Sequence, residues 1–220
     1  MAHERVLAET DFFSNAPADV LSALSAAAST RNLVRGDVLF EADEDPTSLF
    51  VVLSGRIAIA IDRPFDHRES VLALMEDGDL FGEFGLLDEG KRSAGARAIE
   101  PSVVLEISYD LVRKMLDTHP QMMWNVVKVL VARIRKMDMA LADSVFLDVT
   151  GRTAKRLLEL SNGKDTFTLP ITQEELAGMV GASRERVNKA IASFIKLGWL
   201  DQQDRHYVIK NRDELDKRAK

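Results

Sequence analysis

The period of the hydrophobic pattern changes along this chain, and that change constrains the fold more than any other feature. From Leu33 to about Ile107, apolar residues alternate with polar ones in short runs, and glycines typical of turns lie between these runs. After Tyr109 the period becomes helical. Short strands followed by helices predict an α+β fold with an N-terminal sandwich or barrel. The predicted strands are Val38–Glu41, Leu49–Leu53, Arg56–Ile61, Ser70–Met75, Ala94–Ile99 and Val103–Ile107, and the glycines are Gly36, Gly55, Gly78, Gly82, Gly85 and Gly90.

Helices flank the β-rich region. Residues 17–27 have the pattern of a short amphipathic helix with Pro17 in its first turn, and Asp110–Asp117 has that of another. A long helix is predicted from Gln121 to about Phe146. A helix packed on its own domain would carry the same apolar stripe, but this one has more apolar face than a compact β domain covers. We therefore favour the seam of a homodimeric coiled coil, formed by Met123, Val126, Leu130, Ile134, Met137, Leu141 and Val145.

A separate C-terminal domain is predicted after the long helix. Gly151 interrupts the helical pattern, which makes Leu147–Gly151 the expected hinge. Beyond it we expect a helix at Thr153–Leu160, a strand at Thr166–Leu169 and a pair of strands within Leu200–Ile209. The predicted domains are residues 1–118, the dimerisation helix 119–147 and residues 148–220.

Composition excludes several classes of protein. The chain has no cysteine, which excludes disulfide frameworks, zinc fingers and cysteine-ligated clusters. Met1–Asp11 lacks the apolar segment of a signal peptide, and no apolar run is long enough for a bilayer, so we expect a cytoplasmic protein with no membrane partner. The net charge of −6 is unevenly divided, because residues 150–220 carry 14 basic and 10 acidic side chains against 15 and 25 elsewhere. A basic C-terminal third suggests a polyanionic partner.

Two consecutive helices with a glycine between them are predicted in this basic third. Thr172-Gln-Glu-Glu175 has the form of a capping box, and the helix that it starts ends at Gly181. Ser183 caps a second helix, which runs to about Leu197 and has polar side chains clustered in its first two turns. With the following strand pair as a wing, this pattern is typical of a helix-turn-helix whose second helix enters the major groove. The predicted DNA-binding residues are Thr172, Gln173, Ser183, Arg184, Glu185, Asn188 and Lys189.

The β-rich region contains a candidate site for a nucleotide. Within Gly78-Asp-Leu-Phe-Gly-Glu-Phe-Gly-Leu-Leu87, two glycines, Gly82 and Gly85, allow the backbone to approach a ligand and leave amides free for an anion. Arg92 offers a planar fork to a phosphate and Ser93 a hydroxyl donor. Glu83 is an acceptor suited to a ribose hydroxyl. An anion contact beside a hydroxyl contact describes a site for a nucleoside monophosphate.

These motifs resemble those of the cyclic AMP receptor protein and fumarate-nitrate regulator superfamily, in particular the catabolite-activator type found in actinobacteria. The resemblance rests on Gly181-Ala-Ser-Arg-Glu-Arg-Val-Asn-Lys-Ala190, on Phe146-Leu-Asp-Val-Thr-Gly-Arg152 and on the segment around Glu83 and Arg92. It implies a cyclic-nucleotide-binding jelly roll, a long dimerisation helix and a winged helix-turn-helix. The ligand residues that it implies are Phe81, Gly82, Glu83, Phe84, Gly85, Arg92, Ser93, Ala94, Arg133, Met137 and Asp138.

The same resemblance implies a bacterial transcription regulator rather than an enzyme. Its effector would be cyclic AMP, held between the β-roll and the long helix, with no metal. Its partners would be a second copy of the chain, RNA polymerase and palindromic double-stranded DNA with half-sites similar to TGTGA, in which Arg184 reads a guanine, Glu185 a cytosine and Ser183 contacts a phosphate. Lys189 stands where many members have Arg. The chain also has no Walker, Gly-x-Ser-x-Gly or His-Glu-x-x-His motif of an enzyme.

The chain departs from the cyclic AMP pattern on the long helix. Met137 and Asp138 occupy the places where the best-known members have Thr and Ser in contact with adenine. Asp138 can accept from the adenine amino group and does not suit guanine O6. A regulator that responds to another nucleotide, or to none, therefore stays open. A haem sensor is a weaker alternative that would depend on His67, since His3, His119 and His206 have no ligand spacing.

Overall fold

The structure, a computed structural model, describes residues 2–62 and 69–220, with side chains for residues 3–61 and 70–220. Contacts divide the chain into two compact units. We call Met1–Ile61 with Ala73–Arg135 the β-roll unit, and Asp62–Leu72 with Lys136–Lys220 the winged-helix unit. His67, the residue on which a haem site would depend, lies outside the described residues.

Two four-stranded sheets form the β-roll, with strand orders β1-β8-β3-β6 and β2-β7-β4-β5. The pairings of β8 with β1 and β3, of β3 with β6, and of β7 with β2 and β4 are antiparallel. The six predicted strands are confirmed, and β1 and β6 are additional. The strands are β1 (Ser29–Leu33), β2 (Val38–Phe40), β3 (Ser48–Ser54), β4 (Ile57–Asp62), β5 (Glu69–Met75), β6 (Leu80–Phe81), β7 (Gly95–Ala98) and β8 (Ser102–Ser108).

Strand β3 is buried on both faces because it lies between two apolar clusters. Alternate side chains of a strand point to opposite faces. Phe50 and Val52 pack into a cluster between the two sheets, and Leu49 and Val51 pack into a second cluster beneath the helices. The helices of this unit are α1 (Ala2–Glu9), α2 (Ala18–Ala27), α3 (Phe84–Asp88), α4 (Tyr109–Thr118) and the start of α5 (Met123–Phe146), which a 3-10 turn (Pro120–Met122) precedes.

The long helix α5 does not present the predicted seam along its whole length. Val126 is buried and Leu130 is partly buried, and both pack into the cluster beneath the helices of their own domain. For Val126 and Leu130 the prediction of a dimer seam is wrong, because the first turns of α5 cover the apolar face that α1, α2 and α4 leave open. The exposed apolar stripe instead consists of Trp124, Val127, Val131, Ile134, Met137, Leu141 and Val145, and Met123 of the predicted seam is exposed as well.

The winged-helix unit has the predicted arrangement of helices and wing. Its elements are α6 (Val149–Ser161), β9 (Thr166–Thr168), α7 (Gln173–Val180), α8 (Arg184–Lys196), β10 (Leu200–Gln203), β11 (His206–Ile209) and α9 (Arg212–Arg218). The three strands form one antiparallel sheet in the order β10-β11-β9. Among the described residues, none of the helices combines the length and apolarity needed to cross a bilayer.

The break between α5 and α6 has a different cause from the predicted one. Gly151 lies inside α6 and is buried, so it does not interrupt the helix. Helix α6 begins at Val149 because the Asp148 carboxylate caps it, accepting from the Gly151 amide at 2.8 Å. Gly151 instead allows close packing against Arg218, since a Cβ there would lie 3.0 Å from the Arg218 carbonyl oxygen.

Candidate functional site

The segment between β6 and α3 forms a tight turn beside Arg92. Gly82 has φ +80°, a conformation that favours glycine, and a Cβ at this position would lie 2.8 Å from Arg92 Nη1. Gly85 serves a different purpose from the predicted one. It is buried within α3, where a Cβ would lie 2.2 Å from Pro46 Cγ, so its missing side chain allows close packing against Pro46.

Glu83 is a buried carboxylate whose oxygens have no hydrogen-bond partner. Its side chain is 1% exposed, and among the described residues neither Oε1 nor Oε2 accepts a hydrogen bond. Arg133 Nη1 lies 2.7 Å from Oε1, but the pair is poorly aligned, and Arg133 Nη2 instead donates to the Leu80 carbonyl at 3.0 Å. Burial raises the pKa of Glu83, and the charges of Arg133 and Arg92 oppose this rise only in part.

Arg92 is held by acceptors of its own domain. Nη1 donates to the Gly82 carbonyl at 2.8 Å and to the Tyr109 hydroxyl at 3.2 Å, and Nη2 donates to the Ser48 carbonyl at 2.7 Å. The guanidinium also stacks on Phe40, with Cζ 4.0 Å from the ring centroid. Nε and the second Nη2 proton have no partner among the described residues. Nε and Nη2 lie along one edge of the guanidinium, the side fork that suits a phosphate, and Nη2 already donates one of its protons to the Ser48 carbonyl.

Helix α8 presents the polar cluster of the helix-turn-helix to solvent. Thr172 and Glu175 form the predicted capping box, with the Glu175 amide 3.2 Å from Thr172 Oγ1 and the Thr172 amide 2.5 Å from Glu175 Oε2. Gly181 ends α7 with φ +68°, as a left-handed C-cap requires. Ser183 caps α8, and its exposed polar residues are Ser183, Arg184, Glu185, Arg186, Asn188 and Lys189.

Comparisons with known proteins identify a family for both parts of the chain. Residues 30–119 match the family model of the cyclic nucleotide-binding domain, and residues 151–218 match that of the Crp-like helix-turn-helix domain. The CRP-like cAMP-activated global transcriptional regulator of Mycobacterium tuberculosis is 33% identical over 224 residues, which cover 99% of this chain and 100% of that relative. The chain belongs to the CRP family. It is a DNA-binding transcription regulator, and the prediction that it is not an enzyme is confirmed, because these relatives are regulators.

Two solved structures share the fold of this chain. FixK2 from Bradyrhizobium japonicum has a TM-score of 0.77 at 20% identity and covers 88% of this chain and 98% of its own. The c-di-GMP responsive global regulator CLP of Xanthomonas campestris has a TM-score of 0.75 at 24% identity, and the match covers 88% of this chain and 99% of CLP. The predicted fold class is therefore confirmed.

The structure brings together most of the ligand residues that were predicted within this CRP-family β-roll, with different degrees of access. Ser93 is exposed beside the buried Arg92. Phe81 is 1% exposed and stacks on Phe50, so its ring belongs to the core between the sheets. Phe84 is exposed beneath the Arg133 guanidinium, whose Cζ is 5.3 Å from the ring centroid.

Two predicted ligand residues lie in the other unit. Met137 and Asp138 are exposed on α5, beyond Arg135, where the β-roll unit ends. Their contact with a base stays a prediction. Ala94, which ends the predicted phosphate segment two residues after Arg92, is buried.

Several polar residues at these sites were not predicted. Tyr109, at the start of α4, is hydrogen-bonded to both Arg92 and the Gly82 carbonyl. Its only signal in the sequence is its place directly after Ser108, the residue that caps α4. In the winged-helix unit, Gln173 Nε2 donates to the Tyr207 hydroxyl at 2.7 Å. The Gln173 amide nitrogen is thus bonded inside the domain, and a contact of Gln173 with DNA stays a prediction.

No metal site is found in the parts of the chain that the structure describes. Residues 2–62 and 69–220 contain no group of three or more histidine and acidic residues able to hold a metal ion. His206 Nδ1 lies 2.9 Å from Thr168 Oγ1, and His119 Nδ1 lies 3.0 Å from Thr118 Oγ1, so both take part in local hydrogen bonds.

Proposed function

We propose that this regulator binds DNA as a homodimer under the control of cyclic AMP held by Glu83, Arg92 and Ser93. The observation that carries the proposal is the Glu83 carboxylate, which is buried 2.7 Å from Arg133 Nη1 and accepts no well-aligned hydrogen bond at either oxygen from the described residues. A buried acceptor in this state costs free energy until a donor reaches it. The ribose 2′-hydroxyl of cyclic AMP is such a donor.

The phosphate of the same ligand matches the groups beside Glu83. The side fork of Arg92, formed by Nε and by Nη2, which also donates to the Ser48 carbonyl, offers N–H donors of fixed geometry, and the exposed Ser93 hydroxyl supplies another donor. A cyclic nucleotide places a hydroxyl and an anionic phosphate on adjacent ribose carbons, so one ligand can satisfy Glu83 and Arg92 together. The relative from M. tuberculosis is named as cAMP-activated, which supports cyclic AMP as this ligand.

Arg133 offers a route from the ligand to the long helix. It projects from α5 to the Glu83 carboxylate and the Leu80 carbonyl, so a hydroxyl that binds Glu83 changes the electrostatic environment of Arg133. Helix α5 continues from Arg133 to the junction at Leu147 and Asp148, where the winged-helix elements begin. Control by the ligand requires two states of the protein that differ in DNA affinity. Cyclic AMP shifts the equilibrium between them only as far as its own affinity for the two states differs.

The exposed stripe of α5 supports the homodimer. Ile134, Met137, Leu141 and Val145 are each between 56% and 69% exposed, on one face of a helix at intervals of three or four residues. An apolar stripe at this spacing is the pattern of a coiled-coil seam. A parallel pair of such helices gives the dimer a two-fold axis, and hence two copies of α8 related by symmetry.

The exposed N-terminal turns of α8 support the reading of a palindromic operator, with half-sites about one helical turn apart. Arg184 is free to bind guanine O6 and N7. Glu185 lies 2.8 Å from Lys189, and because both side chains are 76% exposed, DNA can separate this pair at little cost. Lys189 then donates to a guanine as a point charge rather than a fork, so that base should be read less strictly. RNA polymerase stays a predicted partner.

A regulator that needs no nucleotide is the second candidate, and the state of Arg92 favours it. The Arg92 side chain is only 8% exposed and already donates three hydrogen bonds to its own domain. A protein that had lost its ligand would still keep Arg92 for these structural contacts. The two candidates differ in whether the remaining fork and the Glu83 carboxylate are ever occupied.

Calorimetric titration of the full chain with cyclic AMP, cyclic GMP and cyclic di-GMP separates them. We expect cyclic AMP to bind, and Arg92→Ala to weaken it by about 1.5–3 kcal/mol, the value of a hydrogen bond to a charged group. Lys91→Ala, which removes the exposed cation next to Arg92, is the matched control and should bind as the wild type does. Wild-type protein that binds none of the three nucleotides, with an unchanged melting temperature, would establish the second candidate. Wild-type affinity in a folded Arg92→Ala variant would refute the site.

A further inference from the structure

The Gly82 carbonyl is held from two directions by groups that are far apart in the sequence. It accepts from Arg92 Nη1 at 2.8 Å and from the Tyr109 hydroxyl in a short hydrogen bond. Arg92 Nη1 also donates to that hydroxyl at 3.2 Å, which closes a triangle of three hydrogen bonds. The carbonyl, which has two lone pairs, is thereby fully satisfied.

This triangle fixes the geometry of both ligand-binding groups. Because the peptide between Gly82 and Glu83 is planar and trans, holding the carbonyl sets the direction of the Glu83 amide and thus the start of the Glu83 side chain. The same triangle engages Nη1 of Arg92 and Nη2 donates to the Ser48 carbonyl, so the edge of the guanidinium that carries Nε and Nη2 is the one left to face a phosphate.

Tyr109 is well placed to keep this arrangement rigid. It is 3% exposed, and its backbone amide donates to the Thr47 carbonyl at 2.9 Å, one residue before Ser48, whose carbonyl binds Arg92 Nη2. Burial raises the pKa of the Tyr109 hydroxyl, so it stays protonated near neutral pH and remains a donor to Gly82. A phenylalanine would keep the ring in place and lose only the hydroxyl.

We propose that Tyr109 is a positioning residue of the ligand site, which orients Arg92 and the Gly82–Glu83 peptide for the cyclic phosphate without touching the ligand. This inference rests on the proposed function. Without the Tyr109 hydroxyl, Arg92 Nη1 would lose one acceptor and the Gly82 carbonyl one donor, and the fork would sample orientations that do not match a phosphate.

The test is a double-mutant cycle measured by calorimetry with cyclic AMP on the full chain. We expect Tyr109→Phe to weaken binding about three- to tenfold, because the Gly82 carbonyl loses a donor and the Arg92 guanidinium loses an acceptor. In an Arg92→Lys background the same substitution should change affinity less than about twofold, because the fork that Tyr109 orients is gone. Tyr207→Phe, which removes the hydroxyl of the other tyrosine of the chain, is the control and should leave cyclic AMP affinity unchanged.

Either of two results would overturn the inference. One is wild-type affinity in Tyr109→Phe, and the other is an equal loss in the wild-type and Arg92→Lys backgrounds. If wild-type protein itself binds no cyclic AMP, the proposed function fails instead, so the two failures are distinguishable.

A second measurement avoids the substitution of Tyr109. The chain has two tyrosines, so 3-fluorotyrosine labelling should give two 19F resonances, which Tyr207→Phe assigns. We expect cyclic AMP to shift the Tyr109 resonance in otherwise wild-type protein and not in Arg92→Ala. A Tyr109 resonance that saturating ligand leaves unmoved would contradict the proposed role.

Discussion

Replacing Glu83 by glutamine should stabilise the unliganded protein and weaken its ligand binding. The buried carboxylate has no hydrogen bond among the described residues, and its nearest cation, Arg133, is poorly aligned with it. A buried unsatisfied polar group costs about 1–3 kcal/mol, and a charged one costs more. Glutamine has nearly the same shape without the charge. We therefore expect a gain of about 1 kcal/mol or more, which corresponds to about 2–4 °C in melting temperature for a chain of this size.

The gain should depend on pH in a defined direction. Burial raises the pKa of Glu83 above its unfolded value, so the native state binds more protons than the unfolded state between the two values. The contribution of Glu83 to the free energy of unfolding of the wild-type protein therefore falls as pH rises from the pKa of the unfolded state through the pKa of the folded state. Glutamine does not titrate. The advantage of Glu83→Gln should be full above the folded pKa and should vanish below the unfolded pKa, about 4.3.

Thermal melts of the two proteins at a series of pH values, with and without cyclic AMP, measure both effects. With saturating ligand this advantage should largely disappear, because the substituted glutamine can accept from the ribose only as a neutral group, which we expect to weaken binding by about 1 kcal/mol. Glu89→Gln, at an exposed position, is the matched control and should change neither quantity. A lower melting temperature for unliganded Glu83→Gln at neutral pH would show that Arg133 already compensates the carboxylate, and would refute the reasoning.

Three further outcomes follow from the long helix and the recognition helix. Leu141→Glu should dissociate the dimer in light scattering while each chain stays folded. Leu130→Glu should instead lower the melting temperature, because Leu130 packs into its own domain. If only Leu130→Glu dissociated the dimer, Leu130 rather than Leu141 would belong to the dimer interface. Arg184→Ala should cost about 1–3 kcal/mol per half-site and relax one base position in titrations of single-base operator variants at fixed salt; an equal loss for every variant would make Arg184 a backbone contact. Asp138→Ala should reduce the preference for cyclic AMP over cyclic GMP in calorimetry, and an unchanged preference would leave Asp138 without a role in base recognition.

The sequence predicts those elements whose periodicity is strong and long. Six strands, the capping box at Thr172 and the turn at Gly181 follow from local rules of spacing and capping. Strand β1 escapes prediction because only Leu33 among its five residues is buried, and β6 because it has only two residues. The two faces of α5 cannot be separated from sequence, since Val126 and Leu130 share the spacing of the exposed stripe and differ only in what packs against them.

The ligand site also contains residues that the sequence predicts and residues that it does not. Glu83, Arg92 and Ser93 are predictable because their chemistry matches a nucleotide within one short segment. Tyr109 is 17 residues from Arg92, so its role depends on the fold that brings β8 and α4 to the segment. Gly151 and Gly85 are conspicuous in the sequence, but the reason for each is a neighbour distant in the chain, Arg218 and Pro46, which only the tertiary structure identifies.

The most direct test of the central claim is the affinity of the full chain for a palindromic TGTGA operator at fixed salt, with and without saturating cyclic AMP. For wild-type protein we expect cyclic AMP to raise DNA affinity about 5- to 150-fold, the usual range of coupling between two sites. Arg92→Ala should bind the operator with the unliganded affinity whether or not the nucleotide is present, and Lys91→Ala should behave as the wild type. An operator affinity that cyclic AMP leaves unchanged in the wild-type protein would contradict control of DNA binding through Glu83 and Arg92.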